Sequence, residues 1–170
     1  MSTTGTPQRP AQTGMAEAAE FHRTLQDLIR LQGSRDRDRA AMYDVTPAGA
    51  RTVEILERLG AISLNALATE LFVDKSTASR VVGCLEDRGY VRRVADPEDR
   101  RALRLELTAE GAELARQLHA DAVWEVNALL SSFEPQARRD TLAFLRRLTR
   151  TSAIHAGVTQ ATCCREDCGP

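Results

Sequence analysis

The amino-acid sequence predicts a mainly α fold with a small β component, which places the chain in the α+β class. Leucine and alanine are abundant, whereas aromatic residues make up only 4% of the 170 residues, and this balance favours helix packing over a β-sandwich. Apolar residues recur at helical spacing along most of the chain. Only the segment around Leu103, Leu105 and Leu107 alternates with the period of two that is typical of a strand.

The ends of the chain differ from its middle. Residues 1–14 have no apolar stretch that a signal peptide would need, so they are predicted to be a disordered arm. No apolar run approaches the roughly 20 residues of a membrane span, so we expect no membrane association. These features predict a cytoplasmic protein, in which thiols stay reduced and structural disulfides are uncommon.

Two helices are predicted before residue 61. The first covers residues 15 to about 32, and the charged run RDRDR at 35–39 either extends it as a solvated face or forms a loop. The second begins at Thr46-Pro47, because threonine accepts a hydrogen bond from the helix start and proline loses none there, and it ends at Gly60. The apolar residues of these helices are Phe21, Leu25, Leu28, Ile29, Val53, Leu56 and Leu59.

Two short helices follow, joined by a tight turn. Ser63 begins the helix LNALATEL, and Asp74 is a good N-cap for the next helix, KSTASRVVGCLEDRG. Two short helices with such a turn form a helix-turn-helix. The residues predicted to pack between them are Leu67, Leu71, Val81, Val82 and Leu85.

A β-hairpin and two longer helices complete the predicted order. The strands YVRRV and ALRLELT flank the polar turn ADPEDRR, and such a hairpin after a helix-turn-helix is a wing. A long helix follows Thr108, and a last helix runs from Pro135 to about Ser152. Their apolar residues are Leu114, Leu118, Ala122, Val126, Leu129, Phe133, Leu142, Leu145 and Leu148.

Positive charge is concentrated in the helix-turn-helix and the wing. The whole chain has a formal net charge of −1, but the segment from Lys75 to Arg104 contains eight cations against five anions, a local net charge of +3. Such a basic segment within a slightly acidic chain indicates a surface for nucleic acid.

Residues 67–111, LATELFVDKSTASRVVGCLEDRGYVRRVADPEDRRALRLELTAEG, resemble the MarR family of bacterial winged-helix regulators. The wing DPEDRR followed by LRLELTAEG is the most specific part of the resemblance, which extends more weakly over residues 15–153. It implies a winged helix-turn-helix DNA-binding lobe at about 46–108 and a helical dimerisation scaffold at about 15–44 and 108–153. Residues 154–170 form a cysteine-rich tail outside the resemblance.

The resemblance also implies a mode of action. Family members are homodimers whose first and last helices intertwine and hold two winged helices over a palindromic operator in double-stranded DNA. The helix that begins at Lys75 would then enter the major groove, and the wing would reach the flanking minor groove. This predicts a transcriptional regulator, a repressor that an inducer releases, with no required cofactor.

The residue types at the expected contact positions suit DNA. Arg80 can form a bidentate pair with guanine, the hydroxyls can bond several bases, and Lys75 suits a phosphate. At the wing, Arg100 or Arg101 can enter a narrow minor groove, and Asp96 or Asp99 can hold that arginine in place. The predicted DNA-binding residues are Lys75, Ser76, Thr77, Ser79, Arg80, Arg100 and Arg101.

No pattern of catalytic residues is present, so we do not expect an enzyme. The histidines His22, His119 and His155 are far apart in sequence, without a HExxH or Cys-His signature. His22 and Trp124 are candidates for an effector pocket, because the family often binds small phenolic or lipophilic molecules near the dimer scaffold. Cys84, next to Val81 and Leu85, is predicted to be a buried structural cysteine.

The tail contains Cys163, Cys164 and Cys168, three soft ligands within six positions. Three thiolates suit As(III), Sb(III), Hg(II), Cd(II) or Cu(I), with arsenite as the first expectation. A structural zinc would want a fourth ligand, either His155 or a residue of a partner subunit. The pattern departs from the family's common peroxide sensors, because the first helix contains no cysteine.

Several alternatives to metal sensing stay open. The tail thiols could form a disulfide on oxidation, the tail could have no function, or the signal could be a small organic effector. A different class of function is a non-catalytic dimeric interaction module whose helix-turn-helix packs against protein. Phosphate-dominated DNA binding weakens steeply with salt, whereas such a module would be salt-insensitive.

Overall fold

The structure, a computed structural model, describes residues 14–97, 99 and 102–155. The predicted arm at 1–14, except Gly14, and the tail cysteines lie outside these residues. The described chain contains six helices and a three-stranded sheet. In chain order the elements are α1 (Met15–Met42), α2 (Pro47–Leu59), β1 (Ile62–Ser63), α3 (Leu64–Leu71), α4 (Lys75–Asp87), β2 (Val91–Ala95), β3 (Leu103–Leu107), α5 (Ala109–Leu130) and α6 (Pro135–His155).

Helix α1 is longer than its apolar residues alone predicted. It continues through the RDRDR run to Met42, so the first of the two sequence alternatives is the observed one. Asp36 and Arg39 within this run form an ion pair of 2.5 Å at the i,i+3 spacing, a pairing that supports a helix.

The starts of the next helices are capped as the sequence predicts. The hydroxyl of Thr46 accepts a hydrogen bond from the N–H of Gly49 at 3.0 Å, and Pro47 follows as the first helical residue. Ser63 accepts from the N–H of Ala66 at 3.2 Å at the start of α3. These caps place α3 directly before the turn into α4.

The sheet contains one strand that the sequence did not reveal. Its antiparallel order is β1-β3-β2, and Ile62 of β1 is paired with Leu105 of β3. A strand of two residues is too short to show a period of two, so periodicity could not predict it. The hairpin of β2 and β3 is paired in register from Val91 opposite Leu107 to Ala95 opposite Leu103.

Residues Met1–Ala120 form one compact unit, and the core described within it lies between the helix-turn-helix, α2 and the sheet. Leu67 of α3, Val82 of α4 and Leu105 of β3 are fully or almost fully buried. The sheet is therefore attached to the helix-turn-helix through shared apolar contacts. The other buried members of this core are Ala40, Ala50, Val53, Ile55, Leu56, Leu85, Val91, Leu114, Ala115 and Leu118.

The described part of the second unit, Asp121–Pro170, exposes many of its large apolar side chains. It contains the second half of α5 and α6, whose apolar residues keep the helical spacing that the sequence shows. Within the described part, no helix is both long and apolar enough to cross a membrane. The exposed apolar residues of this unit are Val123, Trp124, Val126, Leu129, Phe133, Leu142, Phe144 and Leu145.

Candidate nucleic-acid interface

The turn between α3 and α4 fixes how α4 is presented. Phe72 follows α3 in the left-handed conformation, with φ of 55°, and the chain then reaches Asp74 in an extended conformation. Phe72 is 78% exposed, so the turn is determined by backbone geometry rather than by burial of this side chain. The two helices are joined by a tight turn, as a helix-turn-helix requires.

One face of α4 is buried, and its opposite face is accessible. Ala78, Val82 and Leu85, at spacings of four and three residues, are the buried residues of the helix. Of the five predicted contact residues on α4, Lys75, Ser76 and Arg80 are exposed, and Thr77 and Ser79 are half-buried. The structure thus brings all five together in the first two turns of one helix.

A network of hydrogen bonds orders the start of α4. The Asp74 carboxylate accepts from the backbone N–H of Thr77 at 2.9 Å, from the Ser76 hydroxyl at 2.5 Å and from the Thr77 hydroxyl at 2.8 Å. Arg80 donates to the Thr77 hydroxyl oxygen at 3.2 Å. The hydrogen bonds that Ser76 and Thr77 donate to the Asp74 carboxylate, with that of the Ser76 hydroxyl the largest cause, lower the pKa of Asp74 well below its usual range. The sequence predicted Asp74 as an N-cap, but it gave no signal for the two hydroxyl contacts.

The arginines of the wing strands are paired with carboxylates. Arg92 contacts Glu106 at 2.6 Å across the hairpin, and Arg93 contacts Glu86 of α4 at 3.0 Å. These pairs stabilise the hairpin against the helix, but they also neutralise charge that would otherwise attract a phosphate.

Asp96 is bonded to Arg104 at 2.7 Å at the base of the wing turn. Arg100 and Arg101, the predicted minor-groove residues, lie outside the described residues, so their contact with Asp96 or Asp99 stays a prediction. The described pair attaches the end of β2 to β3, directly before the turn that carries these two arginines.

The free charge of the winged helix is located at the start of α4. Among the cations that the structure describes between residues 43 and 107, Lys75 and Arg80 alone have no carboxylate partner. Both side chains are exposed, so both charges are available to a phosphate or a base edge.

The predicted effector residues are both on the surface of this chain. His22 in α1 is exposed, and Trp124 in α5 is 72% exposed. Two described cavities, of about 440 and 400 Å³, are lined by other residues. The pocket role of His22 and Trp124 therefore stays a prediction.

The prediction for Cys84 was wrong. Its side chain is exposed and borders the cavity of about 400 Å³, which also contacts Thr46 and Arg88. Cys84 lies one position before Leu85, and the helical turn buries Leu85 in the core, whereas the side chain of Cys84 stays exposed, although both residues line this cavity.

The metal-binding prediction falls on residues beyond the described chain. Cys163, Cys164 and Cys168 all lie outside it, as does the side chain of His155. Among the residues that the structure does describe, no group of three histidine, cysteine or acidic side chains could hold a metal ion.

The fold and the exposed start of α4 define a winged helix-turn-helix protein, and comparison with known proteins shows which family it resembles. Residues 43–102 match the sequence model of the MarR family. The HTH-type transcriptional regulator YsmB of Bacillus subtilis (strain 168) is 23% identical over 104 residues, which are 61% of this chain and 71% of YsmB. The alignments with the curated relatives span from 35% to 73% of those proteins.

Solved structures agree with this comparison. A MarR family protein from Bacillus stearothermophilus superimposes with a TM-score of 0.78 at 20% identity, covering 84% of this chain and 99% of that protein. A MarR transcriptional regulator from Methanosarcina mazei Go1 has a TM-score of 0.69 at 26% identity, covering 79% and 96%. The family-model match, the relatives and the solved structures together support a MarR-type winged-helix transcriptional regulator, and the MarR family homologues are DNA-binding regulators rather than enzymes.

Proposed function

We propose that the chain is a sequence-specific repressor that acts in the cytoplasm as a homodimer on a palindromic operator. One observation supports the DNA contact above all others: the two described cations without a carboxylate partner in the winged helix, Lys75 and Arg80, are both exposed at the start of α4. Recognition helices present this end to base edges in the major groove.

The homodimer is supported by apolar surface outside the winged helix. In α6, Leu142 and Leu145 are 50% and 41% exposed, and Val126 and Leu129 of α5 are similarly accessible. A dimer would remove large apolar side chains of this kind from water, whereas a monomer would leave them exposed. Two copies would place two α4 helices on two half-sites of one palindrome.

DNA binding is tested by selecting sequences from a random duplex library and measuring affinity by fluorescence anisotropy. Lys75→Ala should weaken binding to all duplexes and reduce the slope of log affinity against log salt by about 0.9. Arg80→Ala should cost about 1–3 kcal/mol on the selected sequence and relax the preference at one base pair.

Arg92→Ala is a matched control, because it removes the same charge from an arginine that is already paired with Glu106. It should change the salt slope less than Lys75→Ala does. If Lys75→Ala and Arg80→Ala both bind like the wild type, α4 is not the reading helix. Salt-insensitive behaviour without any enriched sequence would instead support the protein-interaction module.

We further propose that the inducer is a soft metal or metalloid bound by Cys163, Cys164 and Cys168, with arsenite first. The support is the spacing of the three thiols, which suits a trivalent, thiophilic ion. The tail follows α6 in the sequence. Ion binding there would change the affinity for the operator only to the extent that the ion binds one dimer geometry more tightly than another.

The signal is tested by titrating reduced protein on its operator with arsenite, cadmium and mercury, and separately with peroxide. Release by arsenite that the triple Cys→Ser variant of the tail abolishes would support the proposal. Release by peroxide alone would indicate thiol oxidation. No response of wild type or triple variant to any of these agents would favour an organic effector, for which the cavity beside Cys84 is a candidate site.

A further inference from the structure

Asp74 determines which hydrogen-bonding role Ser76 and Thr77 can take. An ionised carboxylate has no hydrogen to donate, so each hydroxyl that contacts it must be the donor. The contacts run from Ser76 Oγ to Asp74 Oδ1 and from Thr77 Oγ1 to Asp74 Oδ2. A hydroxyl has only one hydrogen, so both hydroxyls have used their only hydrogen within the protein.

Towards DNA, the two hydroxyls can therefore act only as hydrogen-bond acceptors. Ser76 retains its lone pairs and is exposed. Thr77 receives the guanidinium of Arg80 on its oxygen, which leaves it less capacity, and it is half-buried. The lowered pKa of Asp74 keeps the carboxylate ionised at every pH at which DNA binding is measured. The arrangement is therefore constant across that range.

The restriction has a consequence in the major groove. Only cytosine N4 and adenine N6 are donors there, whereas guanine N7 and O6, adenine N7 and thymine O4 are acceptors. A free serine can meet either kind of atom, and it can also donate to a phosphate. A serine that can only accept is restricted to the amino groups and cannot bond a phosphate oxygen.

We propose that Asp74 is a specificity-determining positioning residue, which makes Ser76 read an adenine or cytosine amino group. This inference rests on the proposed function, because it requires α4 to enter the major groove. Asp74 itself would touch no base. It acts by fixing the direction of the Ser76 hydroxyl, while Arg80 remains available for a guanine.

The test removes single functional groups from the selected duplex. Purine deoxyriboside in place of adenosine, or 2-pyrimidinone in place of cytosine, deletes only the amino group, and 7-deazapurines delete only the N7 acceptor. Wild-type protein should lose about three- to tenfold in affinity at one amino deletion, the range of a single hydrogen bond. Ser76→Ala should lose nothing further at that position.

Asp74→Gly should reduce the same penalty to less than twofold. Glycine is tolerated at an N-cap, so α4 stays formed, but it has no side-chain oxygen, and the Ser76 hydroxyl can then donate elsewhere. Asp74→Asn should keep the penalty, because the Ser76 hydroxyl and the Thr77 N–H share Oδ1, the oxygen that a capping asparagine retains. In the double variant Asp74→Gly/Ser76→Ala, the effects should not add, because both substitutions act on the same base contact.

Ser63→Ala is the matched control, since it removes the cap of α3 but no contact to a reading residue. It should lower the stability of the protein and leave unchanged the loss of affinity that deletion of the amino group causes. The inference is overturned if the group that depends on Ser76 is an acceptor, if no base group depends on Ser76, or if Asp74→Gly keeps the full penalty. An absence of any enriched sequence with the wild type would instead refute the proposed function itself.

Discussion

Gly111 is the position where one added methyl group should have the largest effect on the winged helix. It lies in the first turn of α5, next to the residue that precedes β2. A Cβ built on Gly111 would lie 1.9 Å from the carbonyl oxygen of Tyr90 and 2.8 Å from its carbonyl carbon. Both are backbone atoms, so no side-chain rotation can relieve the overlap.

The size of the effect follows from what must move. Ordinary contacts of a Cβ begin at about 3.4 Å, so the backbone of Tyr90 and α5 would have to separate by roughly 1.5 Å. That carbonyl also accepts from the N–H of Thr108 at 3.0 Å, and the Thr108 hydroxyl is bonded to Gly89. Overpacking of this kind typically costs about 1–3 kcal/mol, and the loss of the Thr108 bonds places Gly111→Ala at the upper end of that range.

Gly83→Ala provides a matched comparison, because it makes the same change inside α4, where no atom other than the neighbouring backbone of the helix lies within 4 Å of the new Cβ. Helix propensity alone predicts that alanine stabilises both sites by about 0.8–1 kcal/mol. Urea unfolding at one fixed protein concentration should show Gly83→Ala as stabilising and Gly111→Ala as destabilising. Equal, stabilising effects at both positions would refute the reasoning.

Three further outcomes are expected. Leu67→Ala leaves a cavity in a fully buried site and should lower the free energy of unfolding by about 2–5 kcal/mol in denaturant titrations. The lowered pKa of Asp74 means that its stabilising effect is present above the ordinary carboxyl pKa of 3.8 and is lost as the pH falls below it. The difference in melting temperature between wild type and Asp74→Ala should therefore hold from about pH 6 to about pH 4.5 and shrink as the pH is lowered further, towards about pH 2.5, and a difference that stays constant over that lower range would contradict this. Val126→Glu combined with Leu129→Glu should shift the protein from dimer to monomer in light scattering, whereas a persistent dimer would place the interface elsewhere.

The winged helix was predictable from sequence because each of its elements has a local physical signal. Thr46-Pro47 and Ser63 mark helix starts through capping chemistry, and the structure contains both caps. The alternation of Leu103, Leu105 and Leu107 marks β3. The strand β1 had no such signal, because its pairing with β3 depends on contacts between residues about forty positions apart.

The candidate site was predictable in residue type but not in arrangement. A basic residue at a helix start can be seen in the sequence, so Lys75 and Arg80 were found. Whether an arginine is paired depends on the fold: Arg93 reaches Glu86 only because β2 returns along α4. Cys84 was mispredicted for a related reason, since helical spacing alone did not separate it from its buried neighbour Leu85.

Helix α4 is held at both of its ends by charged residues. At its start the Asp74 carboxylate binds two hydroxyls, and at its end Arg88 binds the carboxylate of Asp44 at 3.0 Å and its carbonyl oxygen. Asp44 lies two residues after the last residue of α1, so the end of α4 that is remote from the reading residues is attached to the chain just beyond the first helix. Because a helix moves nearly as a rigid body, a displacement of α1 that is passed on through Asp44 and Arg88 would also displace Ser76 and Arg80. The base contacts proposed for α4 therefore depend on the position of α1, and α1 is one of the helices on which the proposed dimer would be built.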